Sequence, residues 1–518
     1  MKKDFNITGV CLPDRHYMAD VSKKLEQTIN MVDKGEYFII NRPRQYGKTT
    51  TFHTIAKMLR ETGDYVVFRI SFEGVGDSMF ETEQALTKGF VEVLATNARN
   101  VAKDLELRLI EAAKGTNTFK KLKEVIADLA NQTDKRVVLM IDEVDKSSNN
   151  QLFVSFLAML RDMYLERSET KTFHSVVLAG VHDVKTLKLK LRPDEERKFN
   201  SPWNIAAKYK VDMNLQASEI EPMLKEYCED KGVEMDIKAV AERLFYHTSG
   251  YPFLVSHLCK TIDEDILPTK TGKTWTFEDI EESAKFLLKE SNTNFDSLIT
   301  SLENNKALYD FVYRIIMEGE IINFNSDEPL IELGLMHGIF KNDKQIKIHN
   351  RIYEQRLYDY MTAKTIVSLK KHYNYAGHFV LDDDTLDMPA VLLKFQQFMK
   401  EEFNEKDETF LGKNGRLVFL SFLSPILNGK GHSFKEVQTS EEKRLDIIAT
   451  YNDQKYIIEL KRWYGESYHE KGIKQLSNYL DIHGLRTGFL VVFEYNTVKS
   501  GRKEWIERDG KRIFAVWV

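Results

Sequence analysis

The chain has 518 residues, of which 42% are hydrophobic and 30% charged, a composition typical of a globular protein with about three or four domains. No run approaches the roughly 20 apolar residues of a membrane-spanning helix, and the basic start of the chain lacks the apolar stretch of a signal peptide. The formal net charge of −5 excludes a protein that is basic throughout, so any contact with nucleic acid must come from a local basic surface.

The three cysteines, Cys11, Cys228 and Cys259, are odd in number and far apart. They match no metal-binding spacing. We therefore expect neither a disulfide framework nor a zinc site, and we expect the protein to be cytoplasmic.

The N-terminal part alternates predicted helices with short apolar strands. Apolar positions at helical spacing predict a first helix within 16–34. The predicted strands are 37–40, 65–72, 136–141 and 175–181, and the helices between them are 49–60, 80–113, 118–131 and 151–167. Because continuous apolar runs are typical of strands covered on both faces, this order predicts an α/β fold with a mostly parallel sheet.

The rest of the chain is more varied. Residues 218–290 have a helical pattern that Gly250-Tyr251-Pro252 interrupts, and 300–362 combine short helices with two weak strands, as in a winged-helix module. The acidic stretch Asp382-Asp383-Asp384 marks a boundary. A long helical region up to about 427 follows it. The last predicted elements are strands at 434–439, 444–451, 455–462 and 486–493 and a helix at 466–482, which together indicate a small mixed sheet.

The residues between the first strand and the next helix are typical of a phosphate-binding loop. They are Arg42, Pro43, Arg44, Gln45, Tyr46, Gly47, Lys48, Thr49 and Thr50. Gly47-Lys48-Thr49 match the second half of the Walker A pattern GxxxxGK(S/T), in which the lysine reaches the β- and γ-phosphates of ATP and the hydroxyl binds Mg²⁺. Arg42 stands in place of the first glycine, so a surface turn is the alternative.

A second acidic motif supports this site. The apolar strand from Val137 ends in Asp142 and Glu143, which matches Walker B. Asp142 would hold Mg²⁺, and Glu143 would polarise the attacking water. The alternatives are that both acids cap the next helix, or that the nearby Asp145 takes one of these roles.

Three segments, INRPRQYGKTT, VVLMIDEVD and SGYPFLV, resemble the bacterial AAA-ATPase-like proteins. These are relatives of the archaeal ATPases within the signal-transduction ATPases with numerous domains. The resemblance covers about residues 5–290 and accounts for Arg-Pro-Arg at the first glycine. It implies an ATPase core at 1–215 and a helical lid at 216–295, followed by the winged-helix-like module at 296–365.

The same resemblance suggests further roles around the nucleotide. Gly250 and Pro252 would touch the adenine, although a simple helix break is equally compatible with them. His182 would sense the γ-phosphate, with a buried structural histidine as the alternative. Arg192 or Arg197 would act as an arginine finger in a homo-oligomer, with solvated arginines as the alternative.

Near the C-terminus a hairpin carries two acids and an amine. Asn452-Asp453 is a turn signal, and Glu459 and Lys461, two residues apart on the return strand, share one face. The hairpin can bring Asp446 beside them. Such carboxylates suit Mg²⁺- or Mn²⁺-assisted phosphodiester hydrolysis, with Asp446, Glu459 and the Leu460 backbone as ligands.

This pattern resembles the PD-(D/E)XK nucleases, with Lys461 orienting the attacking water. Both acids lie in apolar strands, where an unpaired charge is costly. Gln475 and Tyr479, one helical turn apart, are similar to the QxxxY motif of the RecB-type branch. The alternative is an ordinary charged hairpin. The resemblance implies a helical linker and nuclease domain at 366–518.

Other residues near this hairpin have two interpretations each. Glu436 would complete the metal shell or be an exposed strand residue. Basic and aromatic residues beyond the hairpin would form a nucleic-acid groove or a packed edge; they are Arg462, Trp463, Tyr464, Tyr468 and Lys471.

The sequence thus predicts an ATP-binding and ATP-hydrolysing protein with a metal-dependent nuclease domain that acts on DNA rather than RNA. The alternative is a nucleotide-controlled signalling switch whose C-terminal domain binds nucleic acid without cutting it.

Overall fold

The computed structural model describes most of the chain. The described residues are 3–72, 74–99, 103–144, 151–180, 203–317, 320–341, 343–368, 379–402, 415, 418–420, 422–423, 426–427, 431–435, 446–452, 454–494 and 501–518. They form two units: one comprises 1–298, 332–341 and 349–351, and the other 299–331, 342–348 and 352–518.

The first unit contains a parallel sheet with the strand order β1-β4-β3-β2. Its strands are β1 (Tyr37–Asn41), β2 (Tyr65–Ser71), β3 (Arg136–Asp142) and β4 (Ser175–Gly180). Every residue of β4 is buried, as expected of a central strand covered on both faces. The α/β fold with a parallel sheet is therefore confirmed.

Helices cover this sheet. They are α1 (Ser22–Asp33), α2 (Lys48–Thr62), α3 (Glu83–Ala98), α4 (Lys103–Gly115), α5 (Phe119–Asn131) and α6 (Gln151–Leu165). The first helix begins six residues later than the start of the predicted range, because the Ser22 amide donates to Asp20 Oδ1 (3.0 Å) and ends the preceding loop. The stretch predicted as 80–113 contains two helices, α3 and α4.

The helical region that follows contains α7 (Ala217–Lys231), α8 (Ile237–Thr248), α9 (Pro252–Thr261) and α10 (Phe277–Lys289). Later helices are α11 (Thr293–Glu303), α12 (Lys306–Met317), α13 (Pro329–Met336), α14 (Arg351–Ser368) and α15 (Met388–Glu402), with short strands β5 (Phe340–Lys341) and β6 (Lys347–Ile348). Of the two weak strands predicted within 300–362, the first, Glu320-Ile321-Ile322-Asn323-Phe324, contains only a single bridge, from Asn323 to Gln345.

The second unit contains a six-stranded mixed sheet with the order β11-β12-β10-β9-β8-β7. Its elements are β7 (Gly431–Lys435), β8 (Asp446–Tyr451), β9 (Gln454–Arg462), α16 (Glu466–Ile482), β10 (Thr487–Phe493), β11 (Lys503–Arg508) and β12 (Lys511–Trp517). Helix α16 connects the parallel pair β9 and β10, and Ile473, Leu476 and Leu480 pack onto the sheet core.

The last hairpin, β11 and β12, is absent from the sequence-based prediction. Its turn is Asp509-Gly510, with φ of 49° and 73°. Positive φ at both central residues is typical of a tight hairpin turn, for which Asp-Gly is a favoured pair. That dipeptide was the overlooked signal.

In the part of the chain that the structure describes, no helix combines the length and the apolar character needed to cross a membrane.

Candidate functional site

The phosphate-binding loop is held in shape by its lysine. Gly47 caps α2 with φ of 76°, a left-handed conformation that favours glycine, and the helix begins at Lys48. Lys48 is buried, and its Nζ donates to the carbonyl oxygens of Arg42 (2.9 Å) and Pro43 (2.7 Å). The amine therefore lies across the loop, next to the N-terminus of α2, where free N–H groups favour an anion.

Walker A and Walker B residues meet at this point. Asp142 ends β3 and is buried, and its carboxylate lies near the Thr49 hydroxyl and accepts a hydrogen bond from the Glu143 amide (3.0 Å). Burial raises the pKa of Asp142, while the Thr49 hydroxyl, the Glu143 amide and the charges of Lys48 and Arg69 oppose that rise. Glu143 has φ of 56°, a conformation that costs a non-glycine residue about 1 kcal/mol or more.

A set of side chains from distant segments surrounds the loop. The Tyr46 hydroxyl donates to Asn214 and lies 2.8 Å from Nε2 of His349. The Tyr251 hydroxyl donates to the Arg44 carbonyl (2.5 Å). We call Tyr46, Asn214, Tyr251 and His349 the loop clasp. Sequence reasoning missed Asn214 and His349, because no motif links residues so far apart in the chain.

The remaining residues of the loop also have partners. An Arg42 guanidinium nitrogen donates to the Val211 carbonyl (2.8 Å), and Gln45 Nε2 donates to Thr293 Oγ1 (3.2 Å). The Thr50 hydroxyl accepts from the Cys11 amide (3.1 Å). Pro43 lies so close to Gly338 that a Cβ on that glycine would be 2.7 Å from Pro43 Cγ.

Gly250 has a structural reason to be glycine. Its φ is 74°, and an added Cβ would lie 1.9 Å from the Leu215 carbonyl oxygen. The Leu215 amide in turn donates to the Gly250 carbonyl (2.8 Å), and Pro252 is the first residue of α9. The helix-break interpretation of Gly250-Tyr251-Pro252 describes this geometry, and adenine contact stays a prediction.

The second candidate site lies on the C-terminal sheet. The antiparallel register places Asp446 directly opposite Glu459, and directly opposed positions share one face of a sheet. Glu459 is only 1% exposed, and its Oε1 lies 3.0 Å from the Lys461 Nζ. Lys461 also donates to Gln475 Oε1 on α16 (3.0 Å). The structure thus brings together Glu459, Lys461 and Gln475.

The second carboxylate oxygen of Glu459, Oε2, has an unusual environment for a charged atom. Among the described residues, Oε2 is buried with no hydrogen-bond partner. A buried carboxylate oxygen without a partner is costly, and a cation would compensate it. The described residues contain no cluster of three or more His, Cys, Asp or Glu side chains, but the Asp446 side chain lies outside them.

The neighbouring predicted residues differ in their environment. Tyr479 is buried on α16, and the Leu460 backbone pairs with Val491 of β10. Trp463 packs 5.5 Å from the His469 ring, so the packed-edge interpretation applies to it, whereas Tyr464 is 65% exposed. Arg462 and Lys471 are exposed.

Some predicted residues lie outside the described residues. They are Asp145, His182, Arg192, Arg197, Glu436 and the side chain of Tyr468.

A family comparison identifies the N-terminal part. The model of the AAA-like domain family matches residues 12–359. This protein belongs to the AAA-like domain family. The match includes the phosphate loop, the Walker B strand and all four residues of the loop clasp. The family match ends before the C-terminal sheet.

Several solved structures are similar to this AAA-like protein at low identity. Aeropyrum pernix ORC2, in its ADPNP–ADP complexes, is 11% identical with a TM-score of 0.37, covering 70% of this chain and 99% of its own. A single-residue variant of Thermotoga maritima RuvB is 15% identical with a TM-score of 0.34, covering 67% and 95%.

Cdc6p from Pyrobaculum aerophilum is also 15% identical, with a TM-score of 0.32 and coverage of 69% and 97%. These scores are too low to transfer any function. No curated protein matches the chain in sequence.

Proposed function

We propose that this AAA-like protein binds and hydrolyses ATP in its first unit and cuts DNA at a metal-dependent site on its C-terminal sheet. The observation that carries the nuclease part is the buried Glu459, bonded to Lys461 and directly opposite position 446.

The ATP site is supported by the junction of Thr49 and Asp142. A hydroxyl and a buried carboxylate close to each other are suitable oxygen ligands for Mg²⁺. Lys48 would leave its carbonyl partners to bind the β- and γ-phosphates, and Glu143 would orient and polarise the attacking water.

The nuclease site is supported by the unpartnered Glu459 oxygen. Glu459, Asp446 and the Leu460 backbone would hold Mg²⁺ or Mn²⁺. A bound divalent ion supplies an activated water and charge stabilisation at the phosphate. Lys461, held by Glu459 and Gln475, would position the attacking water and oppose the negative charge that develops on the phosphate.

The test is DNA cleavage in Mg²⁺ or Mn²⁺ by wild type, Asp446→Ala and Lys461→Ala, with RNA as a second substrate. Lys474→Ala is the matched control, because Lys474 is an exposed lysine on α16. We expect both site variants to lose cleavage by about 100-fold or more and the control to keep it. Cleavage that is unchanged in both site variants would contradict the nuclease assignment.

A second candidate function is a nucleotide-controlled switch. The loop clasp supports it, because His349, beyond the helical region, contacts the phosphate loop directly. In that case the wild-type protein would bind ATP tightly with negligible turnover, and DNA would be bound without cleavage. ATP turnover that is lost in Lys48→Ala would instead support the hydrolytic function.

A further inference from the structure

The second half of α2 borders an open hollow of about 530 Å³. Helix α2 supplies most of its lining, and β2 and α3 supply one residue each. The lining residues are His53, Ala56, Lys57, Arg60, Glu61, Arg69 and Asn97.

The Arg60 end of the hollow is well separated from the phosphate loop. Arg60 follows Lys48 by twelve residues on the same helix, which corresponds to about 18 Å along its axis. Arg69 also acts on the ATP site through its charge, which helps to lower the pKa of Asp142.

The hollow has an excess of positive charge. Glu61 is the single carboxylate of the lining, and its Oε1 lies 3.8 Å from the Lys57 Nζ. Across the described part of the chain, neither Arg60 nor Arg69 forms an ion pair with a carboxylate. Within the described residues, the Arg60 charge therefore has no carboxylate partner, and the Arg69 charge acts on Asp142 without forming an ion pair with it.

Neutral acceptors hold both guanidinium groups in place. Arg60 Nη2 donates to the Val67 carbonyl (2.8 Å), and Arg69 Nη1 lies 3.0 Å from His53 Nδ1. Partial burial of the guanidinium group and the charge of Arg69 both lower the pKa of Arg60. The two arginines thus repel each other in fixed positions, and an anion between them would relieve that repulsion.

We propose that this hollow binds a phosphate of a nucleic-acid backbone. The planar guanidinium group matches phosphate oxygens in a two-point contact, and two such groups converge here. Because the chain has a net charge of −5, a polyanion is attracted only where positive charge is concentrated. The exposed Lys57 and Arg60 leave the hollow accessible to a continuous strand.

The test is binding of a fluorescent DNA duplex to the full chain by anisotropy at several salt concentrations. EDTA is present, so no cleavage occurs and the result does not depend on the nuclease proposal. The test variant is Arg60→Gln/Arg69→Gln. The control is Arg108→Gln, an exposed arginine of α4 that pairs with Asp104.

We expect the double variant to bind DNA about 10- to 100-fold more weakly near 0.1 M salt. The slope of log affinity against log salt should fall by about 2, one for each lost phosphate contact. Arg69→Lys keeps the charge and should recover part of the affinity. Binding of an ATP analogue by each variant shows that the first unit is folded.

Two results would overturn the proposal. One is a double variant whose affinity and salt slope equal those of Arg108→Gln. The other is calorimetric binding of inorganic phosphate that requires Arg60 and Arg69 while DNA binding does not, which would assign the hollow to free phosphate.

Discussion

The Tyr46 hydroxyl of the phosphate loop lies 2.8 Å from Nε2 of His349, a residue 303 positions later in the chain. The Tyr46 ring also packs edge-on against Tyr251, with 4.5 Å between the ring centroids. His349 is only 5% exposed. The shape of the phosphate loop therefore depends on a segment that no local motif connects to it, and a change in one can alter the other.

The first prediction concerns the pH dependence of stability. Burial lowers the pKa of His349 to about 4, from an ordinary value of 6.5. The unfolded chain therefore takes up the proton first as the pH falls. The contribution of neutral His349 to the free energy of unfolding is complete above pH 6.5. It is lost between pH 6.5 and 4, at about 1.4 kcal/mol per pH unit.

Denaturant unfolding of wild type and His349→Gln between pH 7 and 4.5 measures this effect. The relevant transition is the one whose midpoint rises when ATP is added. Other buried histidines are common to both proteins, so their contributions cancel in the difference. Parallel stability curves for the two proteins would show that His349 does not titrate in this way.

The second prediction concerns Gly250. Gly250→Ala should lower the free energy of unfolding by about 3 kcal/mol or more, because a Cβ would clash with the Leu215 carbonyl and the backbone has positive φ. Gly232→Ala is the matched control: its φ is 65°, and an added Cβ meets nothing within 4 Å.

Gly232→Ala should lower the free energy of unfolding by only about 1 kcal/mol, because the positive φ is unfavourable for alanine but the added Cβ meets no neighbour. Thermal unfolding compares the two variants. Equal losses would mean that the contact with Leu215 does not constrain position 250.

The third prediction separates ATP binding from hydrolysis. Glu143→Gln removes the carboxylate that would polarise water but leaves the contacts of Lys48, Thr49 and Asp142. We expect nucleotide affinity within about threefold of wild type and turnover lower by about 100-fold or more. Fluorescent-nucleotide binding and phosphate release give the two values. Turnover near the wild-type rate would assign the water-activating role to another residue.

The fourth prediction concerns metal binding at the C-terminal sheet. Glu459→Gln keeps the shape of the side chain but removes the charge beside Lys461. We expect Mn²⁺ affinity at this site to fall by about tenfold or more. Titration calorimetry of the full chain without nucleotide, in a Lys48→Ala background, isolates this site from the ATP site.

Glu507→Gln, at an exposed position on β11 of the same sheet, is the control and should bind Mn²⁺ as the parent does. If Glu459→Gln and Glu507→Gln have the same Mn²⁺ affinity, Glu459 is not a ligand.

A structural feature can be predicted from the sequence when the residues that specify it are close together in the chain. The strands of the first sheet were predictable because each is a short continuous apolar run, and the phosphate loop was recognisable because its residues are contiguous. The register of Asp446 and Glu459 also followed from a hairpin turn between them. The final hairpin was missed although Asp509-Gly510 marked it.

By itself, the sequence determined the parallel α/β core, the Walker residues and the two arms of the hairpin that carries Glu459 and Lys461. Only the tertiary structure decided that β4 lies between β1 and β3, that His349 and Asn214 reach Tyr46, and that Arg60 and Arg69 converge on one hollow. The physical reason is that periodicity and turn residues specify elements over a few residues. Contacts between distant segments depend instead on which apolar faces pack together.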